Sequence, residues 1–288
     1  MTYQISMFDP ASVDNSLQGF VTKEASRMWP GDTHRKRSMA QMDKFIRFSD
    51  NLSRPMSQFL PRDIHAFAEH LVATGSSKAT ANRYLASISS VFNHAVDEQV
   101  IKVAPKIKFY SVKSERVRYF SDLEIEQMLS FFNDRGDWWM HDMVVLALKT
   151  GMRKGEVVAL GEGLCPISDC GKWIFLPPEV TKTNKGRNVA ITHPDAKAAA
   201  YRLRDGLAGE YSKKRFESRW GLLKREYARN DDAYVYHVCR HNAASRMANE
   251  LQVPTVIVAE ALGHSSLSTT QRYVHAKPDV LADIGARM

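Results

Sequence analysis

The chain has 288 residues, 44% of them hydrophobic and 25% charged, enough length and apolar content for two cores and unlike a disordered or fibrous protein. Its formal charge of +8 favours a polyanionic partner, because neutralising phosphates releases their counterions. Met1–Asn15 lacks a basic stretch leading into an apolar run, and apolar runs such as Met143–Leu148 fall far short of the ~18 residues that span a bilayer, so a cytoplasmic protein with no membrane partner is expected.

Residues 14–103 read as four helices with no strand. Leu17, Phe20, Val21, Ala25 and Met28 recur at helical spacing until Pro30 and Gly31 stop the first. The basic cluster His34, Arg35, Lys36 and Arg37 introduces the second, marked by Met39, Met42, Phe45 and Ile46. Pro61 suits a first helical turn; Ile64, Phe67, Ala68 and Leu71 follow on one face, and Gly75 ends the third. Ser77 is placed to cap the fourth, striped with Tyr84, Leu85, Ile88, Val91, Phe92 and Ala95. Ala104–Arg118 then carries Pro105 and a run of lysines and arginines with almost no periodicity, the pattern of an exposed basic linker. It sets a boundary near residue 112, with a helical domain over 1–112 and a second domain over 113–288.

Beyond that boundary Ser121 caps a helix running through Leu129 and Phe132, and an apolar helix surrounds Met143–Lys149. Trp173–Leu176 and Asn188–Ile191 have strand composition, with the polar turn Thr183–Arg187 before the second, and helices return from about Pro194. The predicted fold is therefore mainly α with a small β-sheet, its second domain being α+β. Cys165, Cys170 and Cys239 are an odd number, which favours reduced thiols over a disulfide framework. No second pair follows Cys165 and Cys170, so no metal site is expected.

Four segments of the second domain concentrate cations, imidazoles and one tyrosine. In Lys149–Glu156, Gly151 breaks the apolar helix and a new one begins near Arg153. The macrodipole disfavours a cation at a helix start, so Arg153 there points to an anion shared with the free amides; Glu156, three residues on, is placed to orient it. The bland alternative is a surface ion pair. The turn Thr181–Arg187 carries Lys182, Lys185 and Arg187, as either a groove-reaching tip or a solvated loop. His237 and Arg240 share one helical side, with His241 beside them. Finally Gly263 ends an apolar helix before His264, and Ser268 is placed to cap a short helix carrying Tyr273, a geometry able to deliver a tyrosine to a substrate.

The segments Thr150–Glu156, His237–His241, Leu262–His264 and Thr269–Tyr273 resemble the boxes of the tyrosine recombinases, the phage integrase family, in their order and in the nine-residue gap from His264 to Tyr273. Residues 14–105 resemble the family's helical, SAM-like core-binding domain. Cys239, Asn242 and Ala190 depart from the usual residues without touching a chemical position. The resemblance implies a site-specific recombinase with Tyr273 as nucleophile, Arg153 and Arg240 as phosphate clamps, Lys182 as acid for the departing 5′ oxygen, and His237 and His264 completing the site. His237 is then the candidate base, with Glu156 and His241 in support. Two bidentate guanidiniums suit the charge that builds on a phosphodiester, and a phosphotyrosine conserves bond energy, so no cofactor is expected; the sequence also lacks a GxxxxGK[ST] loop.

The resemblance further implies double-stranded DNA recombination sites as partner, a homotetramer on synapsed DNA, a nucleoid-associated location, and a phage or other mobile element as context, with accessory DNA-bending or directionality factors a further possibility. Charge distribution adds DNA contacts from Arg35, Lys36, Arg37, Lys78 and Arg83 on the helical domain and from Lys185 and Arg187 on the turn, the two domains closing on the duplex. Val280, Leu281 and Ile284 predict a short amphipathic tail helix that docks on a neighbouring protomer or on its own domain. Two other readings share these residues: a type IB topoisomerase, and a noncatalytic DNA-binding protein of the same fold.

Overall fold

The computed structural model describes residues 15–49, 53–112 and 118–273. The chain divides into two compact units, Met1–Ser114 and Glu115–Met288. The tail stripe Val280, Leu281 and Ile284 lies outside the described residues.

In the first unit α1 (Leu17–Met28), α2 (Asp32–Phe48), α3 (Pro61–Ala73) and α4 (Lys78–Asp97) enclose one core. Their ends follow local chemistry. Ser16 and Ser77 accept the N–H groups of Gly19 and Thr80, and Asp63 in the first turn of α3 accepts the N–H of Leu60 at 2.9 Å. Phe45, Ile64, Phe67, Leu85 and Phe92 are fully buried, each contributing about 1.5–3 kcal/mol by leaving water. The basic cluster does not precede α2: the helix starts at Asp32, so His34, Arg35, Lys36 and Arg37 lie in its first two turns. Asp32 makes this possible, offsetting cations near a positive helix end and pairing with Arg35.

The supposed linker also differs from expectation. Asn82 on α4 donates to the Tyr110 carbonyl and accepts the Tyr110 N–H, each at 2.9 Å, while the Lys108 N–H reaches His65 at 3.0 Å. Ile107 and Tyr110 pack on the helical core. Residues 104–112 are thus a strap bound to the first unit, and a single asparagine supplies both backbone bonds that an exposed linker would give to water.

The second unit is built on the apolar α6 (Trp138–Thr150), packed by α5 (Asp122–Asp134), α8 (Pro194–Glu210) and α10 (His237–Ser245). Ser121 and Glu124 form a reciprocal cap at the start of α5. The helices α7 (Lys154–Gly161), α9 (Lys213–Tyr227), α11 (Thr255–Leu262) and α12 (Leu267–Gln271) complete it, α10 running on into a π-helical turn at Arg246–Glu250. The sheet is a single antiparallel pair, β1 (Trp173–Leu176) and β2 (Arg187–Ala190), in register from Trp173 opposite Ala190 to Leu176 opposite Arg187. The second strand thus starts one residue earlier than the composition suggested. A 3-10 turn at Pro178–Val180 makes the connection longer than a simple hairpin.

Both α6 and α11 end on left-handed glycines, Gly151 (φ 71°) and Gly263 (φ 64°). A Cβ on Gly151 would lie 2.3 Å from Leu262 Cδ2, so glycine there serves close approach as well as φ. The two helix ends therefore meet. No helix among the described residues is long and apolar enough to cross a membrane.

Candidate active site

The convergence of those two helix ends creates the site. Arg240, on the first turn of α10 and only 2% exposed, donates to the Gly151 and Leu262 carbonyls at 2.5 Å each. Arg153 caps α7 rather than starting it: its backbone N–H and its Nη1 bond Glu156 at 2.8 and 2.9 Å, and its Nη2 reaches the Gly263 carbonyl at 3.1 Å. Glu156 is 1% exposed. Burial alone would raise its pKa, but paired hydrogen bonds from Arg187 and those from Arg153 outweigh it and hold the carboxyl below its ordinary value.

Arg187 stands apart from the other cations of the basic turn. Expected on a DNA-facing tip, it turns inward from the start of β2 with its side chain 8% exposed, giving Nη1 and Nη2 to Glu156 at 2.9 and 3.0 Å and Nε to the Ala261 carbonyl at 3.1 Å. A buried carboxylate attracts a bidentate guanidinium more strongly than solvent does. Lys182 and Lys185 remain exposed on the loop before it, which Thr181 closes by accepting the Lys185 N–H at 3.0 Å.

Tyr273 lies one residue past the C-cap of α12, buried to 3% exposure against Ala244, Val258 and Leu262. Ser266, not Ser268, caps that helix, accepting the Ser268 N–H. The Tyr273 hydroxyl stands 2.7 Å from Nδ1 of His241, and the His237 ring packs edge-on to His241 with centroids 4.8 Å apart. The residue expected in support therefore faces Tyr273, and the expected base stands one ring further out, exposed. The His264 ring stacks beside Tyr273 at 6.2 Å, its Nδ1 fixed 2.7 Å from the buried Thr270 hydroxyl. Asn249 donates to the Tyr273 carbonyl at 2.8 Å and pins its backbone.

Cations outnumber anions at the site. Three guanidiniums, Arg153, Arg187 and Arg240, face one carboxylate, Glu156. Burial, then the charge of Arg153, lowers Arg240 to about 9. Burial lowers His241 and His264 to about 4, helped by neighbouring cations that include Arg240 and Arg272, so both are neutral at pH 7. Partial desolvation followed by Arg240, Arg153 and Lys182 lowers His237. Burial raises Tyr273 against the opposing pull of Arg240 and Arg272. Among the described residues no group of three His, Cys, Asp or Glu side chains is arranged to hold a metal.

The Phage integrase family profile matches residues 118–279, more than half of the chain. The chain belongs to the phage integrase family of tyrosine recombinases. Its relatives include the tyrosine recombinase XerC of Herpetosiphon aurantiacus, 27% identical over 260 residues, 83% of each chain. The ICEBs1 integrase of Bacillus subtilis is 26% identical over 111 residues, 38% of this chain and 30% of that protein. The shufflon-specific DNA recombinase of Escherichia coli is 27% identical over 205 residues, 69% of this chain and 51% of that protein. Among solved structures, a Tn1549 transposon integrase in complex with transposon right end DNA superposes with TM-score 0.74 at 17% identity, over 94% of this chain and 99% of that one. A lambda integrase dimer bound to a COC′ core site gives 0.63 at 20% identity, over 91% and 78%. At these identities the likeness is one of fold.

Of the residues expected in this family member's site, Arg153, Glu156, Arg240, His241, His264 and Tyr273 form one connected cluster, with His237 at its edge. Lys182 enters through its charge on His237. On the helical unit, Lys36, Arg37, Lys78 and Arg83 are exposed, while Arg35 is half-buried beside Asp32. Sequence reasoning missed two supports. Asn242 bonds both backbone groups of Phe120, at 2.9 and 2.8 Å, and Thr270 orients His264. A hydroxyl six residues after a histidine gives no readable signal by itself.

Proposed function

We propose that this chain cuts and rejoins double-stranded DNA at specific sites through a 3′-phosphotyrosyl bond on Tyr273. The observation that carries the reading is the Tyr273 hydroxyl held against neutral His241 in a cluster where half-buried Arg153, inward-turned Arg187 and buried Arg240 outnumber the single carboxylate of Glu156. A phosphodiester supplies that anion. Tyr273 Oη attacks phosphorus, the bond to the 5′ oxygen breaks, and exposed Lys182 delivers the proton to that leaving oxygen. The phenolic proton passes to His241, with His237 behind it. Guanidiniums and His264 stabilise the charge that develops on the nonbridging oxygens.

In the DNA-free site the nucleophile is held off, since Tyr273 is raised and His241 lowered. A bound phosphate offsets the cations that lower the histidines, which strengthens the base where it is needed. Rejoining is the same step reversed, with a 5′ hydroxyl as nucleophile, and needs no cofactor. Four protomers on synapsed sites, a helical unit acting as core-binding domain, and integration or excision of a phage or other mobile element in the cytoplasm complete the reading. The ICEBs1 and Tn1549 integrases among its relatives and fold neighbours support the mobile-element context.

The test is covalent capture. Wild-type protein incubated with a random-sequence pool of nicked duplexes yields an adduct stable to denaturant, and the labelled peptide contains Tyr273. Enriched duplexes then serve as substrates: strand exchange between two of them marks a recombinase, whereas supercoil relaxation without exchange would contradict this reading.

A further inference from the structure

The last two carbonyls of α11 and that of its C-cap Gly263 are each taken by a different arginine. Ala261 accepts from Arg187 Nε at 3.1 Å, Leu262 from Arg240 Nη2 at 2.5 Å, and Gly263 from Arg153 Nη2 at 3.1 Å. A helix end normally leaves such groups to water or to a cap, and its negative dipole end favours cations. Here the cap consists of three guanidiniums from three separate elements. The chain then passes directly into His264 and on to Tyr273.

Arg187 differs from the other two. Every one of its nitrogens bonds the protein: two lie on Glu156, the carboxylate that also holds Arg153, and the third lies on α11. A Cβ at Gly263 would lie 3.0 Å from Arg187 Cδ, so its stem also packs against the turn before His264. Arg187 thereby touches the support of one phosphate clamp and the start of the tyrosine-bearing segment at once. Its place at the beginning of β2, five residues after Lys182, ties the acid-bearing loop to the same point.

We infer that Arg187 is a positioning residue for strand cleavage: it makes no DNA contact, but through Glu156 it aims Arg153, and through Ala261 it sets the register of the segment that carries His264 and Tyr273. The inference rests on the recombinase reading above. A lysine cannot reproduce the role, because a single ammonium offers neither the planar pair of bonds to Glu156 nor the simultaneous one to α11.

The experiment uses full-length Arg187→Lys, Glu156→Gln and the double variant on a nicked duplex captured by the wild type. Rate of adduct formation at saturating DNA, affinity, and the slope of log affinity against log salt are read for each. The expected result is a loss of about 100-fold in adduct rate for Arg187→Lys, the size of effect produced by a misplacement of about 1 Å. Affinity and salt slope stay at wild-type values. Glu156→Gln loses rate in the same way, and the double variant loses no more than the worse single one, since both act through one interaction. A salt slope reduced by about 1 in Arg187→Lys would show that the arginine neutralises a phosphate and overturn the inference. So would a wild-type adduct rate, or additive losses in the double variant. Should Arg187→Lys fail to fold, Glu156→Gln decides alone, since wild-type cleavage there breaks the proposed route. No adduct from the wild type would sink the recombinase reading and this inference together, an outcome distinct from all of these.

Discussion

Two populations of cations in this molecule behave in opposite ways. On the helical unit, Lys36, Arg37, Lys78 and Arg83 stand exposed on α2 and α4, where water already solvates them. In the second unit Arg187 and Arg240 are withdrawn from water and Arg153 is half-buried, and all three are held by backbone carbonyls or one carboxylate. Exposed cations of this kind gain from a polyanion chiefly by counterion release, a sequence-independent and salt-sensitive contribution. The buried set is fixed in direction before any ligand arrives, which is the condition for stabilising a transition state rather than merely attracting a polymer. Charge count alone does not separate binding from chemistry; burial and prior commitment of donors do.

The sharpest way to break that separation is to remove one oxygen. Tyr273→Phe should abolish the covalent adduct while DNA affinity stays near wild type, read by denaturing gel and by titration; any adduct from this variant defeats the assignment. Next in size, Arg153→Ala and Arg240→Ala should each slow adduct formation about 10²–10³-fold, about 2.7–4 kcal/mol if they act as oxyanion donors do. Cleavage at an undiminished rate in either would remove it from the clamp. The surface set should do the reverse. Replacing Lys36, Arg37, Lys78 and Arg83 with alanine should flatten the salt slope by about 0.9 for each phosphate that is no longer neutralised and leave the adduct rate at saturating DNA unchanged. Adding Arg35→Ala should change little, because Asp32 already holds it. An unchanged slope would show that these cations neutralise no phosphate.

The smallest effect is one of pH. His241 and His264 sit at about 4 in the free protein, below the 6.5 of an ordinary histidine. The unfolded chain therefore binds more protons between those values, and stability falls as pH drops through that window, not above it. Because kcat/KM reports the free enzyme, adduct formation at limiting DNA should show no inflection near 6.5 and should decline only towards 4. A clear limb at 6.5 would mean that these two imidazoles are solvated and not screened from water.

The helix ends were legible because their causes are local. Ser121, Pro61, Ser77, Gly151 and Gly263 each act within a few residues, and each occupies the predicted place. The partners of Arg187 were not legible, because Glu156 and Ala261 lie 31 and 74 residues away and nothing in a basic turn announces a buried carboxylate. The strap at 104–112 escaped for the same reason, its anchor being Asn82 on α4. At the site, spacing identified the histidines but not which of them meets Tyr273. His237 and His241 are one helical turn apart, and only the docked position of Tyr273 distinguishes them.

Arg240 is a joint as well as a proposed phosphate clamp. By bonding Gly151 on one side and Leu262 on the other, it fastens the ends of α6 and α11, which otherwise converge through a glycine with no side chain to hold them. The position therefore answers to two selections at once. A library screened only for soluble expression would lose variants at Arg240 before any of them met DNA, whereas Tyr273→Phe, which keeps its ring in the apolar cluster, would pass. Silence at Arg240 in an activity screen thus mixes two failures, and the melting temperature of each variant is what divides them.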